Sequence, residues 1–336
     1  MVQGTGSGRN IALVTYDAHP RATDDDRYLV DALVRLGASV DERPWSDPTV
    51  QWEHYDAVIV RSCWDYFHRA DEFHRWLDAL EARGARVFNA TSTLRWNADK
   101  AYLRDLDASG VPVIPTHWID RGTDSTLEEV RRRTGWSELV VKPAVSGGAH
   151  RTWRASPGDL ADDERLSAMA ADGTVLIQPL VDEIESEGEW SLIFLDGRFS
   201  HAVIKRPRSG DFRVQKEHGG TVEPIVPPES IIADAARALG CMIAPPSGAA
   251  HLRSEFRSSG ILIAPPSGAA HLRSEFRIQR PAQPAGEVPL YARVDGCVVD
   301  GTLMLMELEV LEPELFLRTD PAAGDRLAAA LLGRLA

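Results

Sequence analysis

The chain has 336 residues, 43% hydrophobic and 26% charged, with a formal net charge of −13. That length allows two or three packed domains with sizeable cores, and the negative balance argues against nucleic-acid binding by general attraction to phosphate. Three cysteines without metal-type spacing (Cys63, Cys241, Cys297), a polar start and no apolar run of the ~18–20 residues that a membrane span needs lead us to expect a soluble cytoplasmic protein without a signal peptide.

Gly4, Gly6 and Gly8 precede the first strand instead of following it, so they form a tail and not a dinucleotide loop. IALVTY (11–16) reads as a strand. A helix follows over 26–36, with Leu29, Leu33 and Leu36 at helical spacing and Gly37 as its stop. Strands near 38–43 and 57–62, a helix over 70–83 ending at Gly84, and VFN (87–89) complete a small Rossmann-like α/β domain. Ligands of parallel α/β sheets lie beyond the strands' carboxyl ends. Tyr16 and Asp17, and Arg61, Trp64 and Asp65 in RSCWDYF, therefore either face a small polar substrate or, in the case of Trp64 and Tyr66, pack a domain interface.

Asp99 and Lys100 open a helix ended by Gly110, and a lysine there sits badly with the helix dipole unless an anion is near. After a helix over 126–134, ELVVKPAVSGGAH places Lys142 inside an apolar strand. It is followed by the small-residue loop Ser146, Gly147, Gly148 and Ala149, whose backbone N–H groups suit phosphate. VLIQPLV (175–181) is a buried strand running into acids, and 189–207 is a hairpin turning at Asp196–Gly197 that delivers Lys205 and Arg206. GDFRVQKEHGG (210–220) has the composition of a mobile lid, and a helix covers 229–239.

IAPPSGAAHLRSEFR stands at 243–257 and again, letter for letter, at 263–277. An identity of that kind points to a recent duplication or a misreading of the gene, and an unpacked insertion over 241–287 is expected. Beyond it, YARVD (291–295) reads as a strand ending in Asp295. LMLMELEVLEP (303–313) reads as an alternating strand, with Met304, Met306, Leu308 and Val310 on one face and Glu307 and Glu309 on the other. If the two strands are neighbours, Asp295, Glu307 and Glu309 form an oxygen-rich cluster suited to Mg²⁺.

In this order the features resemble the ATP-grasp superfamily, in its glutathione synthetase and RimK-like branch. RSCWDY, LRWNADKAYL, SHAVIKRP, YARVD and MELEVLEPELF are similar to the cyclising ligases of cycloserine biosynthesis. The resemblance implies an α/β protein, α+β in its ATP-grasp part. Its parts would be a Rossmann-like domain over 1–90, a small ATP-grasp subdomain over 91–175, and a C-terminal subdomain over 176–336 that carries the insertion. It further implies that Lys100 and Lys142 contact ATP phosphates under the loop of Ser146, Gly147 and Gly148. Gln178, Pro179, Leu180 and Val181 would meet adenine, and Glu183 or Glu189 the ribose. Lys205, Arg213 and Arg293 would serve catalysis, and Asp295, Glu307 and Glu309 would bind two Mg²⁺ ions, with Mn²⁺ as a substitute. The pattern usually has Asn at the position of Glu309.

The activity so implied is ATP-dependent carboxylate–amine ligation through an acyl phosphate on a small amino-acid-like substrate. Neither a nucleic acid nor a membrane is an expected partner, and a homo-oligomer stays open. The alternative is a nucleotide-binding homologue whose catalysis was lost with the insertion.

Overall fold

The computed structural model describes residues 8–243 and 287–336, apart from Ser209, Lys216 and Glu217. Nearly all of the repeated stretch, and with it the expected unpacked insertion, lies outside the described residues. The chain opens with a parallel sheet of β1 (Asn10–Thr15), β2 (Ser39–Pro44), β3 (Ala57–Val60) and β4 (Val87–Phe88), in the order β2-β1-β3-β4. Apolar residues run along both faces of β1, as in a strand covered on both sides. Ile11 and Leu13 share a core with Leu29 and Leu33 of α1 (Arg27–Arg35), whereas Ala12 and Val14 pack with Phe73 and Leu77 of α2 (Ala70–Ala82). The last helix, α9 (Ala323–Arg334), brings Leu327 and Leu331 into the α1 core, so the end of the chain closes on its beginning.

Two helices, α3 (Thr91–Asn97) and α4 (Tyr102–Ala108), lead out of this sheet. They reach an antiparallel sheet of β5 (His117–Ile119), β6 (Leu139–Pro143), β7 (Trp153–Ala155) and β8 (Val175–Pro179), ordered β5-β8-β6-β7. Its cover is α5 (Leu127–Thr134), started by a capping box between Thr126 and Glu129, and α6 (Leu160–Asp172). After the short α7 (Asp182–Ser186) come β9 (Glu189–Leu195), β10 (Arg198–Arg206), β11 (Thr221–Ile225), α8 (Glu229–Ile243), β12 (Tyr291–Val299) and β13 (Thr302–Glu309). The five strands make an antiparallel sheet ordered β11-β10-β9-β12-β13.

Strand alternation sorts this last sheet into two unlike faces. Leu192, Phe194, Ala202, Ala292 and Val294 pack against α4 and α8. Their sequence neighbours Glu189, Ser191, Lys205, Arg293 and Asp295 therefore share the opposite face. None of these is more than 9% exposed, so the buried charges must neutralise one another.

Two expectations are corrected. The strand that was to end at Asp295 continues to Val299, which leaves Asp295 in mid-strand. Met304 and Met306 do not share a face with Leu308 and Val310. The register steps from Asp295↔Glu307 to Gly296↔Leu305, so Met306 is the extra residue of a β-bulge. The bulge puts Leu303, Leu305, Leu308 and Val310 in the core, and turns Met304 and Met306 toward Cys297, on the face of the acids. A methyl group on Gly296 would stand 2.5 Å from the Met304 carbonyl oxygen. Gly296→Ala is expected to cost about 1–3 kcal/mol by overpacking the bulge. Denaturant unfolding checks this, and an unchanged midpoint would show that the bulge relaxes freely.

Candidate active site

The charged face is assembled by cross-strand register. Lys205 lies opposite Glu189, Asp295 lies between Ser191 and Glu307, and Arg293 lies opposite Glu309. Facing residues on neighbouring strands are close enough to bond directly. Lys205 Nζ is 2.5 Å from Glu189 and 3.4 Å from Asp295. Arg293 donates from Nε to both Asp295 oxygens, at 3.0 and 2.9 Å, and from Nη2 to Glu309 at 2.6 Å. The Ser191 hydroxyl donates to Asp295 as well.

Glu307 is served from the other sheet. Lys142 of β6 and Lys100, in the turn before α4, reach its Oε1 from 3.6 and 3.7 Å. Lys100 also donates to the Ser146 carbonyl at 2.6 Å, so the loop after β6 is tied to the same point. Gly147 in that loop lies against Phe67, leaving only 3.0 Å between an added methyl and the ring. The loop thus bridges the small sheet and the N-terminal domain.

Burial and neighbours divide the acids. Burial would raise Asp295, but Arg293 and Lys205 outweigh it and bring its pKa to about 2. Glu307 is likewise lowered, against burial, by Lys100 and Lys142. Glu309 goes well above the carboxylate range: burial and the charges of Asp295 and Glu307 exceed what Arg293 returns. Lys142 is lowered by burial and by Lys100, with Glu307 opposing. Four carboxylates, Glu189, Asp295, Glu307 and Glu309, face four cations, Lys100, Lys142, Lys205 and Arg293, so the formal charges balance while burial and neighbours set the acids apart.

Asp295, Glu307 and Glu309 are brought onto one face of two paired strands, as the sequence suggested. They do not form a three-carboxylate cage: no group of three His, Cys, Asp or Glu residues is placed to hold a metal ion among the described residues. The reason is the four cations, each taken by one of these oxygens. Farther along the same face the character turns apolar, with Cys297, Met304 and Met306 packed beside Val181, Ile184, Ile114 and Val214. Gln178 is buried and donates to Thr116 at 2.8 Å, and Leu180 donates its N–H to Glu138. Pro179, Leu180 and Val181 follow at the end of β8, and Glu183 lies half-buried on α7. Glu189 is held by Lys205, with burial pushing its carboxyl up. Arg213 is bound by both oxygens of its neighbour Asp211.

The five residues expected at the substrate end separate. Arg61 is a correction. It turns inward, 1% exposed, with Nε on Asp26 at 2.9 Å, Nη2 on the Pro313 carbonyl at 2.8 Å and its plane over the Tyr291 ring. Asp65 is held by Trp45 and Arg69, and Asp17 by Ser46 and Arg69. Tyr16 and Trp64 stay at the surface of the strand ends, their rings 6.4 Å apart. The sequence singles out neither Ser191 nor Glu312, and it gives Tyr66 only a packing role. The buried Tyr66 phenol is raised by burial and then by the charges of Glu312, Glu309 and Glu307, so it lies within their electrostatic reach. No spacing in the sequence signals that approach. Glu312 had a signal in the acid run Glu307, Glu309, Glu312, but it lies beyond the strand.

The model of the D-cycloserine synthetase DcsG N-terminal domain matches residues 11–89. The cycloserine biosynthesis protein DcsG of Streptomyces lavendulae is 35% identical over 203 residues, which cover 58% of this chain and 67% of that protein. The crystal structure of D-cycloserine synthetase DcsG superposes with a TM-score of 0.76 at 28% identity, over 97% of this chain and all of that one. D-alanine–D-alanine ligase from Bacillus anthracis shares the fold, with a TM-score of 0.62 at 13% identity over 98% and 97% of the two chains.

Proposed function

The chain belongs to the D-cycloserine synthetase family of ATP-grasp ligases, and on that premise we propose that it uses ATP to join a carboxylate to an amine within one small amino-acid-like molecule. The cyclic product named for its relatives, D-cycloserine, is the product we assign to it. The single observation that carries this reading is the convergence of Lys100 and Lys142 on Glu307 beside the Arg293–Asp295–Lys205 network.

Phosphoryl transfer needs charge neutralised around the moving phosphoryl group more than it needs covalent help. In our reading ATP lies along the polar face. Adenine takes the apolar end by Val181, Met304 and Met306, against the backbone of Gln178 to Leu180, and the phosphates take the charged end. Glu183 is the better placed of the two ribose candidates, because Glu189 is already paired with Lys205. Lys100 and Lys142 hold phosphate oxygens under the loop of Ser146, Gly147 and Gly148. Arg293 and Lys205 face the acyl phosphate, and Arg213 reaches the site with the lid, which excludes water.

Mg²⁺ is implied by the family. Glu307 and Glu309 fit it in donor type: both offer carboxyl oxygens from one face of β13, and a cation would favour the ionised form of Glu309 that burial disfavours. Asp295, satisfied by Arg293, Lys205 and Ser191, orients those cations and would be the third carboxylate available to a metal ion. A metal ion held there would supply further neutralisation of phosphate charge.

The substrate's carboxylate oxygen attacks the γ-phosphorus and ADP departs. The amine nitrogen then attacks the acyl carbon, and the carbon–oxygen bond to phosphate breaks. The test is ADP release with MgATP and a panel of amino acids bearing a second side-chain nitrogen, β-aminooxy-D-alanine among them, with hydroxylamine added to trap the acyl group. We expect ADP and a hydroxamate from at least one member. ATP binding with neither product from any of them would favour the nucleotide-binding homologue.

A further inference from the structure

Glu312 stands three residues beyond Glu309, where the chain leaves β13 for the N-terminal domain. Its carboxylate makes no hydrogen bond or ion pair among the described residues, while every acid on the strand before it is paired. Burial, with Glu307, raises its pKa to about 7 against the pull of Lys100, Arg293 and Arg61, so those three cations lie within electrostatic reach without satisfying it. The Glu312 backbone carbonyl accepts from Trp64 Nε1 at 3.1 Å, which fixes the residue against the carboxyl end of β3. Trp64 is 39% exposed and its ring neighbours Tyr16.

A second observation converges on the same strand ends. Thr15 Oγ1, Ser62 Oγ and Arg61 Nη1 are buried and have no hydrogen-bond partner. Thr15 ends β1, and the backbone N–H groups of Arg61 and Ser62 both donate to the Val14 carbonyl, so the three residues belong to one junction. Buried polar atoms seldom go unpaired in a finished site. Here Glu312 is tied through its backbone to Trp64, Trp64 neighbours Tyr16, and the orphaned polar atoms lie on the same strand ends of the parallel sheet.

We propose that Glu312 anchors the α-ammonium of an amino-acid substrate, with Tyr16 and Trp64 as the aromatic walls of that cation site. The inference rests on the ligase reading above and adds the residue that selects an amino acid over a plain carboxylic acid. A carboxylate and aromatic faces are the pairing that an ammonium group binds best. Holding the ammonium at Glu312 leaves the substrate's neighbouring carboxylate on the side of Lys100 and Arg293, where the phosphoryl group would arrive.

The probes are D-cycloserine and its des-amino analogue isoxazolidin-3-one, titrated calorimetrically into the full-length protein with ADP and Mg²⁺. Wild type should prefer D-cycloserine by about tenfold or more, and Glu312→Gln should erase that preference while binding ADP as wild type does. Glu312→Asp should restore part of it. A preference kept in Glu312→Gln, no preference in wild type, or an equal loss of ADP binding would overturn the proposal. If wild type binds ADP but neither ring, the cyclising reading falls. The same comparison with D-serine and 3-hydroxypropionate then decides Glu312: amino-group selectivity lost in Glu312→Gln supports it, and its absence in wild type refutes it.

Discussion

Glu307→Gln is expected to lower kcat/KM by about 10²–10³-fold while the protein stays folded. Glu307 is the point at which two lysines from separate elements meet, at 3.6 and 3.7 Å, and its side chain is 26% exposed. Glutamine keeps the shape and removes the charge. Lys100 and Lys142 then face one another without a counterion, in a setting where burial already lowers Lys142. Two like charges in a poorly solvated site repel, so both ammonium groups lose the positions that hold phosphate oxygens. The loss should appear in ADP release, and the partial exposure of Glu307 keeps the stability change modest. A folded variant with the wild-type rate would remove Glu307 from the chemistry.

Arg293→Ala should be the most damaging single change to stability, on the order of 3–5 kcal/mol. The side chain binds both oxygens of Asp295, one of Glu309 and the Glu314 carbonyl, and lies near the Phe316 ring. Removing it leaves Asp295 with Lys205 and Ser191 alone and Glu309 with no cation at all. Arg293→Lys should recover little, because one ammonium cannot reproduce the fork that serves two carboxylates. Denaturant unfolding at neutral pH measures the loss. A change below about 1 kcal/mol in Arg293→Ala would mean that the acids are neutralised without it.

Much of this site was legible because its chemistry is carried by local patterns. A lysine inside VVKP, small residues after it, and two acids on an apolar strand each break a rule of burial, and each proved to be part of one charged face. The parallel sheet was legible from apolar strands alternating with helical spacing. α6 was not, because its buried side is Leu166, Met169 and Ala170 on a helix rich in acids. β11 was not either, since TVEPI is a partly exposed edge strand with a proline and no clean alternation.

What the sequence hid has a common cause: it depends on register between distant strands. The bulge at Met306 reverses the faces of half of β13, and nothing in LMLMELE marks it. The pairing of Asp295 with Lys205 and Ser191 needs β12 beside β9, across a long stretch of chain. Arg61 looked like a loop residue after a strand, yet Asp26 and the Pro313 carbonyl draw it inside. Three acids were visible as metal ligands, but of the four cations that occupy them Arg293 shares β12 with Asp295, and the others came from two distant strands and a turn.

The most direct test of the acyl-phosphate claim is isotope transfer from the substrate's carboxylate. With that carboxylate labelled with oxygen-18 and the wild-type enzyme turning over MgATP, the released inorganic phosphate should carry one labelled oxygen per molecule of product. The carboxylate oxygen that attacks phosphorus leaves with it. ADP formation accompanied by unlabelled phosphate would contradict the account, because the phosphoryl group would then have gone to water and not to the substrate.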